Sequence, residues 1–221
     1  MSAIRLVVLL ALMTASSACR SSAVVVPSGS GLTSVDREAP PGVDLFGRPE
    51  FTAGDWFAYR SGGLVRLRYR VITDPEGSGY LMVDEDADRA LVLDRDLAQL
   101  GEGSTPRANG LVEWSVRKDP FDPSYTWPLW VGKRWSGDFV RRAADGSQLP
   151  FKTFYRVVAL EQVVTPAGTF EALRIERHAS PDTEGEFPDR VSLHWYSPEV
   201  GYLVRSLEDG IETELEEFHR Q

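Results

Sequence analysis

The sequence predicts a mainly β domain, a single curved antiparallel meander sheet forming a half-barrel or open barrel with at most one or two short helices. Three observations predict it. Period-two alternation of apolar and polar residues recurs along the chain, turn-forming dipeptides separate the alternating stretches, and no part of the 221 residues carries a sustained helical stripe.

Residues 1–18 come first and read as a lipoprotein signal peptide: Arg5, an apolar stretch from Leu6 to Met13, then small residues up to Ala18. The run is too short to span a hydrocarbon core, which takes roughly 20 apolar residues as a helix. Cys19, the one cysteine of the chain, follows at the position where bacterial lipoproteins are acylated, although Ser16 stands where Leu is usual. The competing reading is ordinary cleavage after Ala18 with Cys19 incidental. Cleavage before Cys19 removes Arg5, so the mature chain carries one positive charge fewer than the full chain's net −9. Multiple acyl chains on one cysteine anchor a protein stably without spanning the membrane. By resemblance to lipoproteins of two-membrane bacteria, Arg20 in place of an inner-membrane-retaining Asp implies an outer-membrane anchor facing the periplasm.

Residues 19–48 are rich in Ser, Gly, Pro and Val and read as a flexible tether; residues 49–221 form the β domain, where all six tryptophans lie. Its first long strand is Leu64–Ile72, in which Val65, Leu67, Tyr69 and Val71 oppose Arg66, Arg68 and Arg70. Further strands are expected at Asp55–Arg60, Tyr80–Val83, Leu111–Val116, Trp135–Arg142, Phe151–Ala159, Thr169–Arg177, Val191–Tyr196, Val200–Leu207 and Ile211–Phe218. Residues Ala87–Leu100 are expected to form a short strand and a helical turn. Asp145-Gly146 predicts a two-residue type I′ hairpin, Pro166-Ala167-Gly168 a three-residue hairpin with a bulge, and Asp209-Gly210 a third hairpin. Such short turns join antiparallel neighbours.

The chemistry that the composition excludes is clearer than the chemistry it predicts. With 24 Lys and Arg against 33 Asp and Glu, a nucleic-acid backbone is not an expected partner. A single cysteine rules out an intrachain disulfide or a multi-thiolate metal site. The run Asp84–Asp88 fails as an EF-hand loop, because Arg89 and Arg95 stand where Gly and Glu are needed. No GxSxG, Walker loop or GxGxxG occurs, and the three histidines show no ligand spacing. No catalytic residue, cofactor or metal ligand set is therefore expected.

Two groups of residues remain as candidate sites. Trp114, Trp130, Trp135, Tyr155 and Trp195 line an apolar ligand groove in one reading and form the core in the other. Arg66, Arg68 and Arg70 hold an anion in one reading and face solvent beside acidic neighbours in the other.

Three segments, Trp127-Pro128-Leu129-Trp130-Val131-Gly132-Lys133-Arg134-Trp135, Thr165-Pro166-Ala167-Gly168-Thr169-Phe170-Glu171-Ala172 and Trp195-Tyr196-Ser197-Pro198-Glu199-Val200-Gly201, resemble the PLxxGxxW, PAGTFxA and WYxPxVG elements of a family of uncharacterised bacterial exported proteins and lipoproteins. The resemblance implies a curved antiparallel sheet loosely akin to lipoprotein-carrier half-barrels, and no reaction. The function expected from the whole is a membrane-anchored, non-catalytic binding module for a lipid or other apolar ligand, or for an envelope protein partner. The alternative is an envelope glycan or lipid hydrolase that uses paired carboxylates.

Overall fold

The computed structural model describes residues 29–73, 79–84, 86–106, 112–182 and 189–221. The signal peptide, Cys19 and the first part of the tether lie outside the described residues. Thirteen strands follow one another: β1 Leu32–Val35, β2 Trp56–Ser61, β3 Val65–Thr73, β4 Gly79–Asp84, β5 Arg89–Asp94, β6 Gln99–Gly103, β7 Trp114–Asp122, β8 Arg134–Ala143, β9 Gln148–Thr165, β10 Gly168–Pro181, β11 Arg190–Ser197, β12 Tyr202–Glu208 and β13 Ile211–His219.

The expected open sheet or half-barrel is corrected to a closed barrel. From β2 to β13 each strand pairs antiparallel with the next, and β13 returns to β2 with Thr213 opposite Ser61 and His219 opposite Trp56, which closes a cylinder of 12 strands. Closure satisfies the edge backbone groups that an open sheet leaves exposed, and it creates an interior that side chains must fill. β1 lies outside the cylinder order. It pairs with the start of β8, Leu32 opposite Gly137 and Val35 opposite Trp135. β7 reaches β8 only between the pairs Val116–Ala143 and Asp119–Val140, so β1 occupies the stretch of β8 that β7 leaves. With further bridges from Ser30 to Phe121 and from Phe46 to Leu129, and an ion pair from Arg48 to Asp96, the described part of the segment read as a tether lies against the barrel at several points.

No helix occurs among the described residues, and the helical turn expected in Ala87–Leu100 is replaced by β5, a tight turn and β6. The apolar spacing misled because the tip of the turn points inward. Leu97 adopts a left-handed φ of 65° and is 1% exposed. The Asp94 carboxylate holds the turn by accepting the N–H of Asp96 at 2.9 Å and of Ala98 at 2.8 Å. The hairpin types also differ from expectation. At Asp145-Gly146 only the glycine is left-handed (φ 84°), and Gly146 donates its N–H to the Ala143 carbonyl at 3.0 Å, as in a type I turn followed by a left-handed residue. Both residues of Asp209-Gly210 have positive φ (50° and 78°), the requirement of a type I′ hairpin.

Because each strand reverses direction, the turns at 62–64, 144–147 and 209–210 share one end of the barrel, and those at 95–98, 123–133, 166–167 and 198–201 share the other. The second end is filled with aromatic side chains. Tyr125 stacks on Trp127 at 5.3 Å, Tyr196 meets both edge-on, and Trp135 stacks on Tyr155 at 5.0 Å. Both indoles find acceptors: Trp127 Nε1 donates to the Asp96 carbonyl at 3.0 Å and Trp135 Nε1 to the Pro123 carbonyl at 2.7 Å. Lys133, fully buried, donates to the carbonyls of Thr126 and Pro128 at 2.5 and 2.7 Å and lies 4.4 Å from the Trp130 ring. It ties the long connection 123–133 into a plug.

Candidate functional site

Above the plug lies a partly open cavity of about 400 Å³ in the barrel lumen. Its apolar wall comes from Leu91, Leu93, Val116, Phe139 and Phe151, with Leu97 and Tyr125 against the aromatic end. Near the opposite end stand Arg89, Glu102, Arg190 and Glu208, each at or close to the terminus of its strand. Arg89 pairs with Glu102 at 2.6 Å, Arg190 with Asp209 at 3.3 Å, and His194 with Glu208 at 2.7 Å. The hydrogen bond from His194, stronger than the opposing effect of burial, holds the Glu208 carboxyl below the usual carboxylate range.

The densest chemistry lies on β7, β9 and β10. Asp122, 1% exposed, accepts the Lys118 ammonium at 2.9 Å and the Arg177 guanidinium at 3.0 Å on one oxygen and the Tyr155 hydroxyl on the other. Arg177 Nε also donates to the Tyr155 oxygen at 3.0 Å, and Lys118 donates to the Gln99 side-chain oxygen at 2.7 Å. Burial alone would raise the Asp122 pKa. Lys118, Arg177 and the Tyr155 hydrogen bond outweigh it and hold the carboxyl well below its ordinary range. Burial pulls Lys118 down, against the attraction of Asp122, and pushes Tyr155 up, with Asp122 adding to the rise. Arg177 moves upward: burial opposes its charge, but Tyr155 and Asp122 more than compensate.

None of the five aromatic candidates is a lining residue of this cavity, and only two of them touch each other. Trp135 and Tyr155 stack in the core, and Tyr155 reaches the cavity wall through Asp122 and Arg177. Trp130 covers Lys133. Trp195 donates to Glu161 at 2.7 Å beneath the Arg205 guanidinium, and Trp114 lies 5.7 Å from the Arg117 guanidinium. The arginine face is on the outer wall: Arg66 reaches Glu216 and Glu217 at 3.3 and 3.4 Å, Arg68 lies 4.6 Å over the Trp56 ring, and Arg70 is exposed.

Lys118, Asp122, Arg141 and Arg177 were not singled out from the sequence. Their signal was present in the alternation: Lys118 shares the parity of Val116 on β7, and Arg177 that of Leu173, Ile175 and Ala179 on β10, all four of these apolar residues being buried. A charge on the apolar parity of a strand points into a lumen.

Of the described carboxylates that line the cavity, Glu102 is paired with Arg89 and Glu208 with His194. Asp94 and Asp96 are close, and burial raises Asp94 to about 6, yet Asp94 is spent on the turn N–H groups and Asp96 on Arg48 at 2.8 Å. Among the described residues no group of three potential metal ligands comes together.

No protein-family model matches the chain, and no curated protein matches it. Similar solved structures include the following three. A protein described as exported with a YmcC-like fold, from Bacteroides fragilis, is 17% identical with a TM-score of 0.43, covering 80% of this chain and 100% of its own. A lipoprotein from Parabacteroides distasonis is 16% identical with a TM-score of 0.44 at the same coverage. The hypothetical lipoprotein YmcC from Escherichia coli is 12% identical with a TM-score of 0.40, over 78% of this chain and 90% of its own. These likenesses bring no activity with them, so the function is read from the barrel's own chemistry.

Proposed function

We propose that the protein is an exported envelope lipoprotein, anchored through acylated Cys19 to the outer membrane on its periplasmic side, whose barrel holds an amphiphilic ligand in its lumen without catalysis. The observation that carries the ligand reading is the partly open lumen cavity of about 400 Å³, in which apolar walls and polar groups face the same space. That combination suits a molecule with an apolar chain and a polar end. The anchor reading rests on the first 19 residues. A strand-accepting partner site is a poorer fit, because closure leaves only β1 with an open edge among the described strands.

Native mass spectrometry of the full chain, extracted from its membrane in a polymer without added lipid, tests the ligand. The expected result is a non-covalent adduct that moves to the organic phase on extraction; its absence overturns the reading. Mass analysis of the N-terminal peptide tests the anchor, an unmodified Cys19 thiol being the result that removes it.

A further inference from the structure

Building on the lumen-binding reading, we infer that the amphiphile's polar end is an anionic oxygen group, carboxylate or phosphate, received by Lys118, Arg141 and Arg177. Lys118 and Arg141 stand directly opposite each other in the β7–β8 register, and both line the cavity. Like charges so placed repel, and nearby apolar walls strengthen the repulsion. The Lys118 ammonium is 5.1 Å from the Phe139 ring centre. Lys118 and Arg177 meet the same Asp122 oxygen at 2.9 and 3.0 Å, which keeps their nitrogens within about 6 Å of one another.

Two cations thus share one carboxylate, and Arg141, itself exposed, lines the cavity across from Lys118. Arg141 has no carboxylate within 4 Å among the described residues, the Asp145 carboxylate acting on it from further away. Lys118 has used two of its three donors, on Gln99 and Asp122, and Arg177 makes no described hydrogen bond through Nη1. Five cations line the cavity with the carboxylates Glu102 and Glu208, and Asp122 and Asp209 pair with three of those cations, which leaves one cation in excess. The chain as a whole carries −9, so this excess does not follow from its general composition. An oxyanion bridging the free donors would supply the missing charge and form charge-assisted hydrogen bonds. Its alkyl chain would lie along Leu91, Leu93 and Val116.

Calorimetric titration of the full chain in a Cys19→Ala form, which no acyl group can occupy, tests this with dodecanoate, dodecyl phosphate, dodecanol and inorganic phosphate below micellar concentrations. At least one dodecyl anion is expected to bind about tenfold or more tighter than dodecanol, and the tighter of the two identifies carboxylate or phosphate as the natural head group. Arg141→Gln and Lys118→Gln are each expected to reduce that preference about fivefold or more, with Lys118→Arg restoring part of it. Dodecanol binding as tightly as both anions overturns the head-group inference and leaves the lumen reading standing, as does an unchanged preference in both glutamine variants. Inorganic phosphate binding as tightly as dodecyl phosphate supports the anion site and overturns the amphiphile reading. Failure of every probe to bind overturns both.

Discussion

Two sets of basic side chains occupy this barrel, and they differ in everything except their chemistry. On the outer wall Arg66 and Arg68 stand in solvent beside Glu216, Glu217 and the Trp56 ring. On the lumen side Lys118 and Arg177 are mostly buried and share Asp122, while Arg141, across the β7–β8 pair from Lys118, lines the same cavity from an exposed position. Water screens the outer set, so its ion pairs add little and removing one leaves nothing stranded. Lys118 and Arg177, mostly buried, are screened far less, and each depends on the counter-charge that the fold or a ligand supplies.

The most direct way to break this contrast is to remove the inner carboxylate. Asp122→Ala leaves Lys118 and Arg177 buried without their partner and is expected to cost about 3–5 kcal/mol in urea unfolding. A loss below about 1 kcal/mol would show that water reaches these cations freely.

The acid response separates two buried aspartates. The Asp122 pKa is depressed in the folded state, so its contribution is present above the ordinary carboxylate value near 3.8 and is lost as the pH falls through that value and below. Asp94 has no cation on its own oxygens, and burial raises it to about 6. Its contribution is fully present below about 3.8 and is lost as the pH rises through about 6. Asp94→Asn, which keeps the acceptor for the turn, is expected to make stability between pH 4 and 6 rise more steeply with pH than in the wild type. Thermal melts across that range check it, and an unchanged slope would remove the assignment.

Replacing one inner cation is expected to have a smaller effect. Lys118→Met leaves Asp122 matched one to one by Arg177, and melting should stay within about 1 kcal/mol of the wild type or rise above it, while the preference for the anionic probes over dodecanol falls as in Lys118→Gln. Smallest of all is the outer wall: Arg66→Ala should change stability by less than about 1 kcal/mol and leave probe binding intact. A large effect there would erase the distinction between the two sets.

Much of the strand layout was legible. β3 reads from Val65, Leu67, Tyr69 and Val71 against its arginines, and β13 from its own alternation, because half-buried strands write their two faces into the sequence. β6 was missed. Gln99–Gly103 has two glycines where β7 crowds the backbone: a Cβ at Gly101 would meet the Val116 carbonyl oxygen at 2.3 Å, and one at Gly103 the Glu113 carbonyl oxygen at 2.3 Å. Close approach there removed the residues that mark a strand. The aromatic candidates were read as alternatives of groove or core, and Trp135 and Tyr155 are buried as a stacked pair while the cavity is lined mainly by aliphatic and phenylalanine side chains with charges.

By itself the sequence determined the local terms: which stretches are extended, where the chain turns, which parity of a strand is apolar, and the export-like first 19 residues. Tertiary structure alone decided closure, because pairing β13 with β2 joins Thr213 and Ser61 across 152 positions and no local pattern reports a register over that separation. It also decided that Lys118, Arg141 and Arg177, from β7, β8 and β10, share one volume while the more conspicuous Arg66, Arg68 and Arg70 do not. Alternation defines two faces for every strand; only wrapping the sheet makes one of them an interior, where a charge can no longer be answered by water.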